Sequence, residues 1–321
     1  MMRIGVVGNG MIVKRFLEDL KQVGGAEAAA ICVRSRSLEK GEQLAAAYGI
    51  GRVYTDYGTC LQDETLDAVY IGIINSEHYD YVKQALHAGK HVICEKPFTV
   101  EAWEAKELAE LAREKQLFLW EAFKIPYSPV YAAVKEHLKE IGTVKLVQCN
   151  YSRVSSRYAD YLKGQVLPAF DPELAGGCMY DINLYNLHFT AGLFGRPKGL
   201  HYYANRGYNG IDTSGVLMME YDGFQAVLTG AKDSSSPCGC VIQGELGYIR
   251  TEGPASAASA AEINLGRGPV CIAEDRENGT LAGETRAFVK QYETRDYESC
   301  YQMLEHSVLV MELLNVATKD R

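Results

Sequence analysis

At 321 residues the chain is longer than one small core can organise and suits two domains. With 47% hydrophobic and 23% charged residues it is neither disordered nor fibrous, and a net charge of −8 without a Lys/Arg run excludes nucleic acid and anionic membrane as natural partners. Nine scattered cysteines, among them Cys32, Cys94 and Cys149 inside apolar runs, read as buried free thiols of a reducing compartment; with no apolar segment long enough to span a bilayer, a cytoplasmic protein is expected.

Residues 3–7 form a strand-like run that enters Gly8–Asn9–Gly10–Met11–Ile12–Val13, after which Met11, Ile12, Phe16, Leu17 and Leu20 recur at helical spacing. Strand, glycine turn and helix make the context of a dinucleotide-binding fingerprint. Gly8 permits the tight turn, and Gly10 lets the backbone approach a pyrophosphate seated on the helix N-terminus formed by Asn9, Met11 and Ile12. Val13 replaces the third glycine, which predicts a slightly wider gap between helix and strand.

A second strand over 28–33 ends in Arg34–Ser35–Arg36–Ser37, and a helix over 38–48 follows with Ser37 as its cap. No Asp or Glu stands in this loop to bind ribose hydroxyls. Ser35, Arg34 and Arg36 instead suit a 2′-phosphate, so NADP is the expected cofactor, with NAD the other candidate.

Strands over 52–54 and 68–74 come next, then a helix over 77–88 closed by Gly89, a strand at 92–94, a helix over 101–115 begun by Thr99, and a strand over 117–120. This alternation predicts a doubly wound parallel sheet. In it, Lys96, at the carboxyl end of the 92–94 strand and fixed in extended backbone by Pro97, points into the ligand crevice. No metal is expected. His87 and His91 cannot share a helix face across Gly89, and Cys238–Gly239–Cys240 lacks the spacing of a zinc knuckle.

Pro126 and Pro129 mark a breaker-rich crossing, which places the domain boundary at 122/123. Beyond it lie a helix over 130–140, a strand over 144–152, and strands over 200–204, 214–221, 225–229, 241–245 and 248–251, with 234–240 and 255–261 read as loops and a closing helix over 298–316. Residues 123–321 are therefore expected to form an α+β domain on a large, mainly antiparallel open sheet, one face of which serves as a contact between copies in a homodimer or homotetramer. Asp181, Tyr185 and His188 fall at i, i+4 and i+7 after a glycine turn, and on a helix they share one face.

Three segments carry a resemblance: Tyr70–Ile71–Gly72–Ile73–Ile74–Asn75–Ser76–Glu77–His78, then Ala88–Gly89–Lys90–His91–Val92, then Glu95–Lys96–Pro97. Together they resemble the glucose–fructose oxidoreductase/inositol dehydrogenase/MocA superfamily, and within it the branch of dimeric dihydrodiol dehydrogenases. The resemblance covers essentially the whole chain. It implies that Lys96 lies beside the nicotinamide and that Ile73, Glu95 and the loop from Asn75 to His78 line the cofactor pocket, although His78 also fits simple packing at a helix start. Residues 176–185 look like the family's Gly-Gly-x-x-x-Asp-x-Gly-x-(Tyr/His) motif, which puts Asp181 at the aspartate and Tyr185 at the proton-transfer position. Two residues depart from the pattern. Ile74 stands where members often carry proline, and Asn183 replaces a glycine, which is expected to narrow or re-polarise the pocket. Lys124 and His188 are candidate substrate contacts.

The implied reaction is hydride transfer between nicotinamide and a carbinol or carbonyl carbon of a sugar, polyol or cyclic diol. A phenol, with an ordinary pKa of about 10, is a ready proton donor, and a nearby ammonium favours the phenolate needed in the oxidative direction. The competing reading is a non-catalytic dinucleotide sensor, which needs none of Lys96, Asp181 and Tyr185.

Overall fold

A computed structural model describes residues 1–319. The chain divides into two compact units, Met1–Ala122 with Thr280–Met311, and Phe123–Gly279 with the segment that begins at Glu312. The second unit is not contiguous, because the chain returns to the first unit over Thr280–Met311.

The first unit runs β1 (Met2–Val7), α1 (Met11–Leu20), β2 (Ala26–Cys32), α2 (Leu38–Tyr48), β3 (Val53–Tyr54), α3 (Tyr57–Leu61), β4 (Ala68–Ile71), α4 (His78–His87), β5 (His91–Glu95), α5 (Ala102–Glu114) and β6 (Leu119–Ala122). Its six strands are all parallel, in the order β3-β2-β1-β4-β5-β6. The order reverses between β1 and β4, and such a switch point is where an open α/β sheet forms its ligand crevice. All four residues of β4 are buried, as are Val92–Glu95 of β5, which explains their continuous apolar runs. On α1, Phe16, Leu17 and Leu20 of the predicted stripe are buried, joined by Val13, whereas Met11 is exposed.

Local ends differ from the sequence reading. The helix after β2 begins through a 3-10 turn, Ser35–Ser37, and Ser37 makes no side-chain cap bond. Thr99 does not cap α5; the Glu104 carboxylate accepts the backbone N–H groups of Val100 and Glu101 instead, at 3.1 and 2.9 Å. The run after Ile71 leaves the sheet at Gly72, and Asn75–Glu77 forms a 3-10 turn into α4.

The second unit contains α6 (Pro129–His137), β7 (Val144–Ser152), α7 (Tyr158–Leu162), a π-helical turn (Met179–Asn183) that continues into α8 (Leu184–Phe194), and the strands β8 (Gly199–Arg206), β9 (Asp212–Tyr221), β10 (Phe224–Ala231), β11 (Gly239–Gly244), β12 (Tyr248–Glu252), β13 (Ala260–Asn264) and β14 (Pro269–Glu274). They form one eight-stranded sheet, β14-β13-β12-β11-β7-β10-β9-β8, antiparallel except for the β7–β10 pair. Val147, Cys149, Ala226, Leu228, Ile242 and Ile249 alternate onto its buried face, and Leu184, Leu187 and Phe189 of α8 are buried with them. Gln148, Asn150, Val227, Thr229, Arg250 and Glu252 line an open groove on the sheet. The Ala/Ser-rich stretch read as a loop holds a 3-10 turn, Ala255–Ala257, and the start of β13.

Two helices complete the chain, α9 (Ala282–Thr294) and α10 (Tyr297–Ala317). The return segment is tied into the first unit by polar contacts: Asp19 accepts the Leu281 N–H at 2.7 Å, and the Trp120 indole donates to Gln291 at 2.6 Å. Phe288, which is buried, stacks on Trp120 with ring centroids 5.2 Å apart.

His91 couples this unit to pH. Its Nδ1 accepts the Phe118 N–H at 2.9 Å, and Phe118 and Tyr292 pack on its ring. Burial lowers its pKa to about 4. The unfolded chain, with a histidine near the ordinary value of about 6.5, binds the proton more tightly. His91 therefore leaves stability whole above about pH 6.5 and erodes it, by up to about 3 kcal/mol, as pH falls toward 4. Urea unfolding of wild type and His91→Gln across this range should show a shallower loss in the variant; parallel curves would rule the assignment out.

Candidate active site

In the first unit the site begins where β1 and β4 end. Gly8 has φ +111°, and a Cβ there would lie 2.4 Å from the Gly72 carbonyl oxygen. Only glycine allows both the turn and this approach. Val13 is fully buried, and its Cγ2 would sit 2.8 Å from a Cβ on Gly72. The wider gap expected from Val13 is thus met from the other side, by a missing side chain on the neighbouring strand end. Gly10, at the N-cap of α1, would meet nothing within 4 Å if it carried a Cβ. Open space over a helix N-terminus, with Asn9 partly exposed and Met11 68% exposed, fits the pyrophosphate of a dinucleotide.

Ser35 and Arg36 are exposed on the 3-10 turn after β2. Arg34 is engaged differently, through a short charge-assisted contact of its Nη2 with both oxygens of Glu77. The turn after β2 is therefore clipped to the turn before α4, and Arg36 is the guanidinium left at the position expected for a 2′-phosphate.

Lys96 follows β5 directly and is partly exposed, whereas Glu95 and Pro97 are buried. Glu95 faces inward and accepts the Tyr70 hydroxyl at 2.6 Å; Tyr70 in turn stacks on Phe16 at 3.7 Å. Behind Lys96, Glu121 accepts the Phe98 N–H at 3.0 Å. Ile73 and Asn75 keep partial exposure. His78 has none: its Nδ1 donates to the Pro97 carbonyl at 2.8 Å, with the Ile73 carbonyl 3.4 Å from Nε2. Burial lowers its pKa, so it is held neutral. The packing role offered for His78 is the one its geometry supports. It joins the backbone after Lys96 to the loop after β4 and does not present its ring to the crevice. Glu95, named with it for the pocket, is buried and accepts the Tyr70 hydroxyl.

In the second unit, the turn before the motif depends on a close approach. A Cβ on Gly176 would lie 2.5 Å from the Pro168 carbonyl oxygen, and Gly177 has φ +102°. The next turn is π-helical, Met179–Asn183, and such turns recur at functional sites. Its packing explains Asn183. That side chain is fully buried, donates to the Leu228 carbonyl at 3.1 Å and accepts from Asn186 at 2.9 Å. A Cβ on Gly230 would come within 2.8 Å of Asn183 Cβ, so β10 supplies the space that the helix no longer leaves. Asn183 pins the π turn to the sheet and does not line the pocket, contrary to expectation.

The predicted three-residue face becomes a two-residue one. Asp181 and Tyr185 stay partly exposed, but His188 is 1% exposed and stacks on Phe123 with centroids 4.2 Å apart. The extra residue in the π turn shifts the register, and His188 points inward against Phe123. Lys124 sits at φ +46°, an unfavourable backbone angle for its type, and its ammonium donates to the Gly279 carbonyl at 3.1 Å.

The sequence reading missed one residue. Lys232, the first residue after β10, is buried, and its ammonium lies 2.8 Å from Asp181 Oδ2 and donates to the Ala169 carbonyl at 2.6 Å. The only signal for it was a lysine directly after a buried strand, the pattern that identified Lys96. Among the described residues, no group of three His, Cys, Asp or Glu side chains is placed to hold a metal, and no helix is long and apolar enough to cross a membrane.

Residues 2–123 match the family model described as oxidoreductase family, NAD-binding Rossmann fold, and residues 131–250 match the GFO/IDH/MocA C-terminal domain. The scyllo-inositol 2-dehydrogenase (NADP(+)) IolU of Bacillus subtilis is 36% identical over 78% of this chain and 75% of its own. A trans-1,2-dihydrobenzene-1,2-diol dehydrogenase of Xenopus tropicalis is 30% identical over 77% and 74%. Among solved structures, the Actinomadura kijaniata 3-ketoreductase KijD10 with NADP and TDP-benzene shares the fold at TM-score 0.83, with 22% identity over 99% of this chain and 97% of that one. These matches run through both units, and the chain belongs to the GFO/IDH/MocA family of NAD(P)-dependent oxidoreductases.

Proposed function

We propose that this enzyme interconverts a secondary alcohol and its ketone on a neutral cyclic polyol or diol, with Lys96, Tyr185 and Asp181 as the residues that act on the substrate. The observation that carries this reading is the pair Asp181 and Tyr185, a carboxylate and a phenol kept partly exposed on a π-to-α turn whose other polar residues, Asn183, Asn186 and His188, are buried. Two relatives of at least 30% identity named as dehydrogenases of an inositol and of a dihydrodiol support the substrate class.

Bound NADP supplies the hydride chemistry. The chain supplies the rest. Gly8 and Gly10 admit the pyrophosphate, and Arg36 with Ser35 takes the 2′-phosphate. The Lys96 ammonium donates to the substrate oxygen and stabilises the negative charge that develops there. In the oxidative direction Tyr185, as phenolate, takes the hydroxyl proton; in reduction it returns one to the same oxygen. Asp181 accepts hydrogen bonds from neighbouring substrate hydroxyls.

Placement in the cytoplasm agrees with the free thiols of Cys32, Cys60, Cys94, Cys149, Cys178, Cys240 and Cys300, all buried. The open groove on the eight-stranded sheet suits a second copy of the chain in a homodimer or homotetramer. Sedimentation velocity at micromolar concentration should give a dimer or tetramer; a monomer alone would remove the assembly.

The catalytic roles are tested by Tyr185→Phe. Loss of a general acid–base group costs roughly 10²–10⁴-fold. The variant should lose at least 100-fold in kcat on inositols and cyclic diols, followed by nicotinamide absorbance, and keep its NADPH affinity in a fluorescence titration. Unchanged turnover would refute the assignment. Cofactor choice is tested by Arg36→Ala, which should weaken NADPH binding about tenfold or more, the worth of one charge-assisted bond, and leave NADH binding unaltered. Equal effects on both would make Arg36 a solvated charge only.

A further inference from the structure

The Lys232–Asp181 pair is asymmetric. The lysine side chain is 2% exposed and the aspartate 34%. The ammonium also donates to the Ala169 carbonyl at 2.6 Å and lies 4.5 Å from the Phe170 ring centroid. Beneath it Phe170 packs with Tyr161 and Ile211, all buried. An ammonium in such a place requires a counter-charge, because carbonyl and ring contacts alone leave its charge uncompensated. Asp212 accepts the Met179 N–H at 2.7 Å and the Tyr202 hydroxyl at 2.9 Å through Oδ2, and the carboxylate found at ion-pair distance from the ammonium, 2.8 Å, belongs to Asp181. Asp181 is the anion the lysine holds.

Only the lysine is buried, and the carboxylate sits on the partly exposed side of the π turn, four residues before Tyr185. We propose that Lys232 is a positioning residue: it clamps Asp181 through Oδ2, which aims the carboxylate at a pair of adjacent hydroxyls and makes it the element that selects vicinal diols. A carboxylate is an acceptor only and can take hydrogen bonds from two hydroxyls at once, whereas a protonated acid loses part of that capacity. This inference rests on the polyol reading above and extends it to the arrangement of hydroxyls.

The test compares trans-1,2-cyclohexanediol with cyclohexanol, with NADP, in wild type and Lys232→Met. The wild type should prefer the diol in kcat/KM. The variant should raise KM for the diol at least tenfold, with a smaller change in kcat, and lose at least tenfold of the preference, while NADPH affinity in a fluorescence titration stays within twofold. A preference that survives in a folded variant overturns the inference and leaves the polyol reading intact. So does an equal loss on both substrates, which is what simple structural damage produces. Absence of wild-type turnover on every diol and inositol removes the polyol reading and this inference with it. Should Lys232→Met fail to fold by circular dichroism, Lys232→Gln carries the same comparison, since its amide can donate to Asp181 and to Ala169 without a charge. At least threefold of the preference should then be lost, and full retention overturns the inference.

Discussion

The first unit depends on one close backbone approach. A Cβ on Gly8 would collide with the Gly72 carbonyl at 2.4 Å, so the ends of β1 and β4 are held together by the absence of a side chain. That contact lies at the point where strand order reverses, and it sets the position of everything on the crevice rim. It brings the N-terminus of α1 up to the sheet, starts the loop that leads to His78, and through the His78–Pro97 bond at 2.8 Å extends to the backbone beside Lys96. Val13 shows how tightly this is balanced. The helix carries a bulky residue where a glycine is usual, and Gly72 gives up the space.

The second unit solves a similar problem with the opposite exchange. Asn183 occupies a position where the motif has glycine, and Gly230 on β10 makes the room. The amide then ties the helix to the Leu228 carbonyl, while Asn186 donates to that of Thr229 at 3.0 Å. Seating the π turn on two strand carbonyls fixes the angular position of Asp181 and Tyr185 more firmly than an apolar contact could. In each unit a departure from the usual glycine pattern is matched by a glycine on the adjacent strand, which one sequence does not reveal because the partners are 47 to 59 residues apart along the chain.

What could be read without coordinates follows from this. The order of strands to β6 and of the helices except the short α3 was legible, because each of these elements carries its own period and its own punctuation, as was the largely antiparallel nature of the second sheet. The return of α9 to the first unit was not, since its buried positions, Phe288 and Val289 among them, are too few on a polar helix to announce a partner. His188 was misplaced for a physical reason: a count of three and four residues per turn assumes an α-helix, and the wider turn at Met179–Asn183 moves the following residues round. Thr99 was misplaced as the cap because the N-cap of the helix stands two residues later, at Glu101, which forms a capping box with Glu104.

Two lysines draw the contrast most clearly. Lys96 and Lys232 each stand immediately after a buried strand, and Pro97 is the local mark that set only the first apart in the sequence. The difference is what lies beyond. After β5 the backbone turns at Pro97 and Lys96 keeps partial exposure. After β10 the aromatic cluster of Tyr161 and Phe170 closes over the lysine, which leaves a carbonyl and a carboxylate as its partners. The same side chain at the same kind of position is therefore partly exposed in one unit and hidden in the other. Burial, decided by residues some sixty positions away, converts the second from a group that meets substrate into one that determines how another group meets it.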